Sequence, residues 1–278
     1  MTDSGTNFWD TFTTDEAEFV RAIMDELRDA AWAKPLLSSI KDSGGLVHAN
    51  KAKFFELRFG YALHGAGIAP QYEIEGEGGS TLDFGFAAGA RNFRIELMRL
   101  EETEAARQAT HTGTDAVGVE WSSRILSSHN DDQRQTEEGE TLKAVQRICQ
   151  KCERAGKPYK FPLPDGAVHV LLVDSRTLFN GCDDHDRVHI ALGGEFVTEV
   201  MARRYWEGTL ISGAFSPRTA VRGAAQMRER VHFIGFVSEG DYVPGEIPKV
   251  SNFIGNPYLF RNEEEAMEAF AAWPLRRP

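Results

Sequence analysis

Residues 80–100 read STLDFGFAAGARNFRIELMRL, and this stretch decides the fold. Phe84 and Phe86 alternate with Asp83 and Gly85. After a turn at Gly89, Phe93, Ile95 and Leu97 alternate with Arg94, Glu96 and Met98. A period of two is the signature of half-buried strands, so the spacing predicts an antiparallel pair over Ser80–Phe86 and Phe93–Leu100. Gln71–Glu75, set off by Gly76, Gly78 and Gly79, predicts a strand before them.

Outward from this pair the period changes to that of helices. Ala52, Phe55, Phe59, Ala62 and Ala66 form an apolar stripe that predicts a helix over Asn50–Ala66, closed by Gly65 or Gly67. Downstream, Leu142, Val145, Cys149 and Cys152 predict a helix over Glu137–Ala155, and His169–Asp174 reads as a buried strand. The order is helix, three strands, helix, strand, an αβββαβ arrangement in an α/β chain with a mixed sheet. Short helices are expected at Glu101–Ala109 and, behind an Asn262 cap, at Glu263–Ala272. At the N-terminal side, Thr13-x-x-Glu16 is a capping-box pattern opening a helix over Asp15–Ala33, which Lys34-Pro35 should interrupt. Thr110–Asp132 carries few regular signals, and residues 1–12 read as polar and loose. Val188–Ala191, Leu210–Phe215 and Val231–Val237 are strand candidates. With no linker or repeat, the 278 residues read as one domain: a core at about 50–175, an N-terminal helical region at 13–45 and an extension at 176–278.

Composition bounds the function. The chain has 31 Lys and Arg against 42 Asp and Glu, a formal charge of −11. Such a surface argues against coating a polyanion by bulk charge. The longest apolar run, Ala167–Val173, is strand-length, so no membrane span is expected. The first ten residues lack a secretory pattern, and 3 cysteines suit a reducing cytoplasm rather than a disulfide framework. Charge is uneven, however. Residues 143–160 hold six basic residues and one acid, Glu153, and Arg218, Arg222, Arg228 and Arg230 form a second cluster. These read either as solvated faces or as tracks for a phosphate backbone.

Within the predicted core, acids fall at three places. Glu56 flanks the stripe of the first helix, about 100° from Phe55. Asp83 lies in the second strand and Glu96 in the third. Carboxylates on adjacent strands, with a third from a nearby helix, supply oxygen ligands of the kind that Mg²⁺ or Mn²⁺ takes while keeping several waters. A cation held so activates water and offsets charge on a phosphodiester. The competing reading leaves all three acids facing solvent.

These residues resemble those of the PD-(D/E)XK nuclease-like superfamily, whose restriction-endonuclease-like core is αβββαβ. The resemblance covers about 125 residues. It implies a nuclease in which Asp83 and Glu96 bind the metal and Glu56 assists. The lysine expected two residues after the Glu is Met98, which carries neither charge nor donor. Arg99 points to the opposite face. Some members supply the lysine from the following helix, which makes Lys143 and Lys151 candidates, Lys143 being the nearer to the helix start. Gln146, Arg147 and Lys151 become candidate nucleic-acid contacts. Three functions follow for comparison: a metal-dependent nuclease on DNA or RNA; a non-catalytic binding or protein-interaction module on the same scaffold, with a second copy of the chain as a candidate partner; and an unrelated α/β structural protein.

Weaker patterns carry little. Cys149-x-x-Cys152 lies on an apolar stripe and reads as buried thiols rather than a zinc half-site. Cys182, Asp183, Asp184, His185 and Asp186, with His189, read as a polar loop after Asn180-Gly181. Ser127, Ser128 and His129 are adjacent, which shows no convergence of nucleophile and base.

Overall fold

A computed structural model describes residues 10, 12–127, 132–178, 182–237 and 252–275. Ser128, His129, Asn180 and Gly181, singled out above, lie outside the described residues, as do 1–9 and 11 of the N-terminal segment. The chain is α/β. In order, it runs α1 (Thr14–Glu26), α2 (Lys34–Asp42), α3 (Lys51–Gly65), β1 (Gln71–Glu75), β2 (Thr81–Ala88), β3 (Arg91–Arg99), α4 (Glu104–Gln108), β4 (Thr110–Thr114), β5 (Glu120–Arg124), α5 (Glu137–Gln150), β6 (Glu153–Arg154), β7 (Lys157–Pro158) and β8 (Val168–Asp174). Then follow α6 (Asp184–Ala191), β9 (Tyr205–Trp206), β10 (Thr209–Leu210), α7 (Ala224–Arg230), β11 (Phe233–Val237), β12 (Asn252–Gly255) and α8 (Glu263–Phe270).

Among the described residues one mixed sheet of six strands, in the order β1-β2-β3-β8-β11-β12, organises the molecule. β1, β2 and β3 are an antiparallel meander, β3, β8 and β11 are parallel, and β12 returns antiparallel. β8 is buried at every position, as a central parallel strand with both faces covered must be. On one face, Phe55, Phe59 and Leu63 of α3 pack with Phe84, Phe93, Ile95, Leu97 and Trp273. On the other, Ala144, Val145, Ile148 and Cys149 of α5 pack with Met98, Leu171, Val173 and Ile234. The N-terminal helices form a third cluster, in which Val20, Ile23, Leu36 and Ile40 meet Phe54 and Leu57 of α3. No helix among the described residues is long and apolar enough to cross a membrane.

Several expectations are corrected. Pro35 opens α2 rather than merely ending a helix, because proline's missing N–H is harmless in a first turn. The predicted Asp15–Ala33 helix stops at Glu26 and continues as 3-10 turns. The N-terminal segment is not wholly loose, since Asp10 is buried and Phe12 stacks on Phe54 at 5.3 Å. Thr110–Asp132 contains the β4–β5 hairpin. Val188–Ala191 is helical, not extended. The expected polar loop at 182–186 starts α6 through a reciprocal cap between Asp183 and Asp186. Of Leu210–Phe215 only Leu210 pairs as a strand. The expected extension supplies β11 and β12 to the central sheet.

Candidate functional site

The site forms where β1 and β2 lose their regular alternation. Leu82 and Phe84, two residues apart on β2, enter opposite cores. Ile74 and Tyr72, their partners on β1, follow the same division. Between them Glu73 takes φ 54°, a left-handed conformation that costs a non-glycine residue. The β2–β3 ladder runs from Ala88↔Arg91 to Phe84↔Ile95 and stops there. Past that point a side chain takes over the pairing: the Leu97 N–H donates to Asp83 Oδ2 at 2.6 Å. The Asp83 carboxylate is thereby fixed against β3 beside Glu96.

Glu96 is 1% exposed. Its Oε1 lies 3.0 Å from both the Lys151 and the Lys160 ammonium. Its Oε2 is buried and has no hydrogen-bond partner among the described residues. Glu56, half-buried on α3, takes a hydrogen bond from the Tyr72 hydroxyl at 2.7 Å. Three acids thus share two ammonium groups. Burial, then the charges of Glu96 and Glu56, pushes the Asp83 carboxyl well above the usual carboxylate range, against the Leu97 N–H and Lys151. Burial and Glu96 also raise Glu56, outweighing the Tyr72 hydrogen bond. Burial alone would lower the Lys151 pKa, but attraction to Glu96 reverses that and raises it. The Tyr72 hydroxyl is held protonated by burial and by Glu56.

The two lysines arrive by different routes. Lys151 ends α5, directly after Gln150. Lys160 follows the β6–β7 hairpin and takes φ 68°. Its N–H donates to Ser80 Oγ at 3.0 Å, its carbonyl accepts from Glu77 N at 2.8 Å, and its ammonium also donates to the Thr81 carbonyl at 2.8 Å. Gly76 permits this seat: a Cβ there would stand 2.5 Å from the Lys160 carbonyl oxygen. A strained residue held by four contacts has its side chain direction over-determined.

Lys143, the lysine preferred on sequence, is placed elsewhere. It sits two turns before Lys151 on α5, about 12 Å along the axis, and pairs with Glu140 at 3.2 Å. Gln146 and Arg147 do not reach the acids either. With Lys143 they line a separate polar groove of about 440 Å³, and Arg147 donates to the Glu101 carbonyl at 2.6 Å. Met98 shares the Glu96 face of β3 and is packed into the α5 core. Of the sequence candidates, then, Glu56, Asp83, Glu96 and Lys151 come together, while Lys143, Gln146 and Arg147 do not. Lys160 was visible only as one charge in the basic 143–160 segment.

No family model matches the chain, and no curated protein or solved structure matches it either.

Two oxygen donors with water in the remaining positions suit a hard cation such as Mg²⁺. Asp83 and the partnerless Glu96 Oε2 fit that role. Among the described residues no group of three His, Cys, Asp or Glu is assembled as a ready ligand set. The cysteines and the second basic cluster are engaged within the fold. Cys149, Cys152 and Cys182 are buried free thiols, and burial pushes the Cys149 and Cys182 thiols up to about 12. In the second basic cluster Arg222 binds Glu153 at 2.5 Å, and Arg228 and Arg230 donate to the Ser216 and Phe161 carbonyls.

Proposed function

We propose that this chain is a metal-dependent phosphodiesterase acting on nucleic acid, built on a restriction-endonuclease-like αβββαβ core. The observation that carries the reading is the meeting of Lys151 with Glu96, whose second oxygen is buried beside the Asp83 carboxylate without a partner among the described residues. The order α3, β1, β2, β3, α5, β8, with an antiparallel meander whose third strand runs parallel to the fourth, agrees with that core. Lys151 brings to Glu96 an ammonium that Met98 cannot supply, which supports the reading.

Asp83 and Glu96 would hold Mg²⁺ or Mn²⁺, and the cation supplies an activated water and offsets phosphoryl charge. Lys151, 3.0 Å from Glu96, would orient the attacking water. Glu56, its carboxyl raised by burial and positioned by Tyr72, is suited to take or give a proton. Lys160 adds a second positive charge toward the phosphate oxygens. The burial of Met98 in the core favours the second reading, a non-catalytic binding module, since that position supplies no chemistry.

Cleavage of single- and double-stranded DNA and RNA with Mg²⁺ or Mn²⁺ separates the readings. Wild type is expected to cleave at least one of these forms, and Asp83→Ala to lose that activity. Activity unchanged by Asp83→Ala refutes the site. Binding without cleavage, by wild type and Asp83→Ala alike, supports the module.

A further inference from the structure

A second buried charge cluster lies at the C-terminal ends of β3 and β8. Arg99 ends β3, three residues and about 10 Å beyond Glu96 along the strand. Arg176 follows Asp174, the last residue of β8, and Lys51 opens α3. The side chains of Lys51, Arg99 and Arg176 are 1%, 7% and 10% exposed. All three converge on one oxygen, Asp10 Oδ1: Lys51 at 3.0 Å, Arg176 at 2.9 Å, and Arg99 by a short ion pair. His48, half-exposed at the rim, approaches Asp10 Oδ2 at 3.2 Å and the Asp10 carbonyl at 2.7 Å.

Two acids belong to the scaffold. Glu16 of α1 pairs with Lys51 at 3.3 Å, and Asp174 of β8 with Arg99 at 3.4 Å. Asp10 is different. It precedes α1 and belongs to none of the helices or strands that carry the cations. Three donors from three separate elements focused on one oxygen is the way a protein grips an oxyanion, and guanidinium forks match phosphate oxygens in particular. Burial disfavours ionised Asp10, yet Arg99 and Lys51 outweigh it and keep the carboxyl below its usual range.

We propose that Lys51, Arg99 and Arg176 form a phosphate-binding site, rimmed by His48, which Asp10 fills in the free chain. The ligand is a phosphate dianion or monoester, either free phosphate or the terminal phosphate of an oligonucleotide. The inference does not depend on catalysis at Glu96.

The full chain carrying Asp10→Asn tests it, with inorganic phosphate as the probe in titration calorimetry and thermal unfolding. The variant is expected to bind phosphate about tenfold more tightly than wild type and to gain thermal stability as phosphate is added. Adding Arg99→Gln or Arg176→Gln should abolish both effects. No phosphate response in a folded Asp10→Asn chain, or a response that survives both arginine substitutions, overturns the proposal. Wild type provides a reading that needs no variant. Phosphate should speed amide exchange over Phe12–Val20 relative to chloride at equal ionic strength, as Asp10 is displaced. Unchanged exchange contradicts the site. Comparison of 5′-phosphorylated with 5′-hydroxyl oligonucleotide in Asp10→Asn identifies the source. A gain of about tenfold from the terminal phosphate assigns an oligonucleotide end. Equal binding of the two, with free phosphate bound, assigns the free anion.

Discussion

Two buried charge clusters stand near each other along β3, and they differ in how their charges are matched. At Glu96, three acids share two ammonium groups, one carboxylate oxygen has no partner among the described residues, and Asp83 and Glu56 are held above their ordinary range. At Asp10, Lys51, Arg99 and Arg176 crowd a single oxygen, with Glu16 and Asp174 as further acids, and the carboxyl is held below its range. Burial penalises charge in both places: it is the largest cause of the upward shifts of Asp83 and Glu56, whereas at Asp10 the contacts of Arg99 and Lys51 outweigh it. The first cluster is short of positive charge and calls for a cation. The second matches three cations with three acids, so in the proposal above an anion enters only in exchange for Asp10.

The largest effect should come from the acid-rich cluster. Glu96→Gln keeps the shape but removes the charge that Lys151 and Lys160 face, and should lower cleavage by about a thousandfold. Cleavage within a few-fold of wild type would break the distinction between the clusters. Next is the Asp10 cluster. Asp10→Asn leaves Lys51, Arg99 and Arg176 with only Glu16 and Asp174 and should cost about 3–5 kcal/mol of stability in phosphate-free buffer, read by denaturant unfolding. A change below about 0.5 kcal/mol would mean that Asp10 balances nothing.

Lysine substitutions sharpen the first cluster. Lys151→Ala should slow cleavage by about a hundredfold, whereas Lys143→Ala, on a lysine paired with Glu140, should change it less than about twofold. Equal losses from the two would return the role to the residue preferred on sequence. The smallest effect is in stability against pH. The folded-state pKa of Asp83 is raised, so between its unfolded value near 3.8 and that raised value the folded chain binds more protons. Its contribution therefore declines as pH rises through that window. Asp83→Asn should thus stabilise the metal-free chain by about 1 kcal/mol at pH 8 and less at pH 5. Asp10 has the opposite sign, its contribution being complete above pH 3.8 and lost only as pH falls through its lowered value.

The clusters also differ in what the sequence discloses. α3, β1 to β3, α5 and β8 were legible because each buries one face or both, which leaves a period or an apolar run. Asp83 and Glu96 stood out against that period, and Glu56 against the stripe of α3. The choice of lysine was not legible, because it rests on where α5 ends. The predicted helix ran to Ala155, but it stops at Gln150 and places Lys151 at the turn. Lys160 depends on a two-residue hairpin and a left-handed backbone, which leave no periodic trace. α6 was mistaken for a strand because Val188–Ala191 is a short apolar run, ambiguous without its capping residues. The Asp10 cluster joins residues as far as 166 positions apart, and nothing local marks it.

Asp83 and Glu96 are the proposed cation ligands, with the raised carboxyl of Glu56 beside them. The most direct test is titration of the metal-free chain with Mn²⁺ at pH 7, recording heat and released protons together. Protonation held by raised carboxyls must be given up when a cation binds. Wild type should bind Mn²⁺ with release of protons, and Asp83→Ala should lose both the binding and the release. Absence of Mn²⁺ binding in wild type, or binding unchanged by Asp83→Ala, would contradict the account.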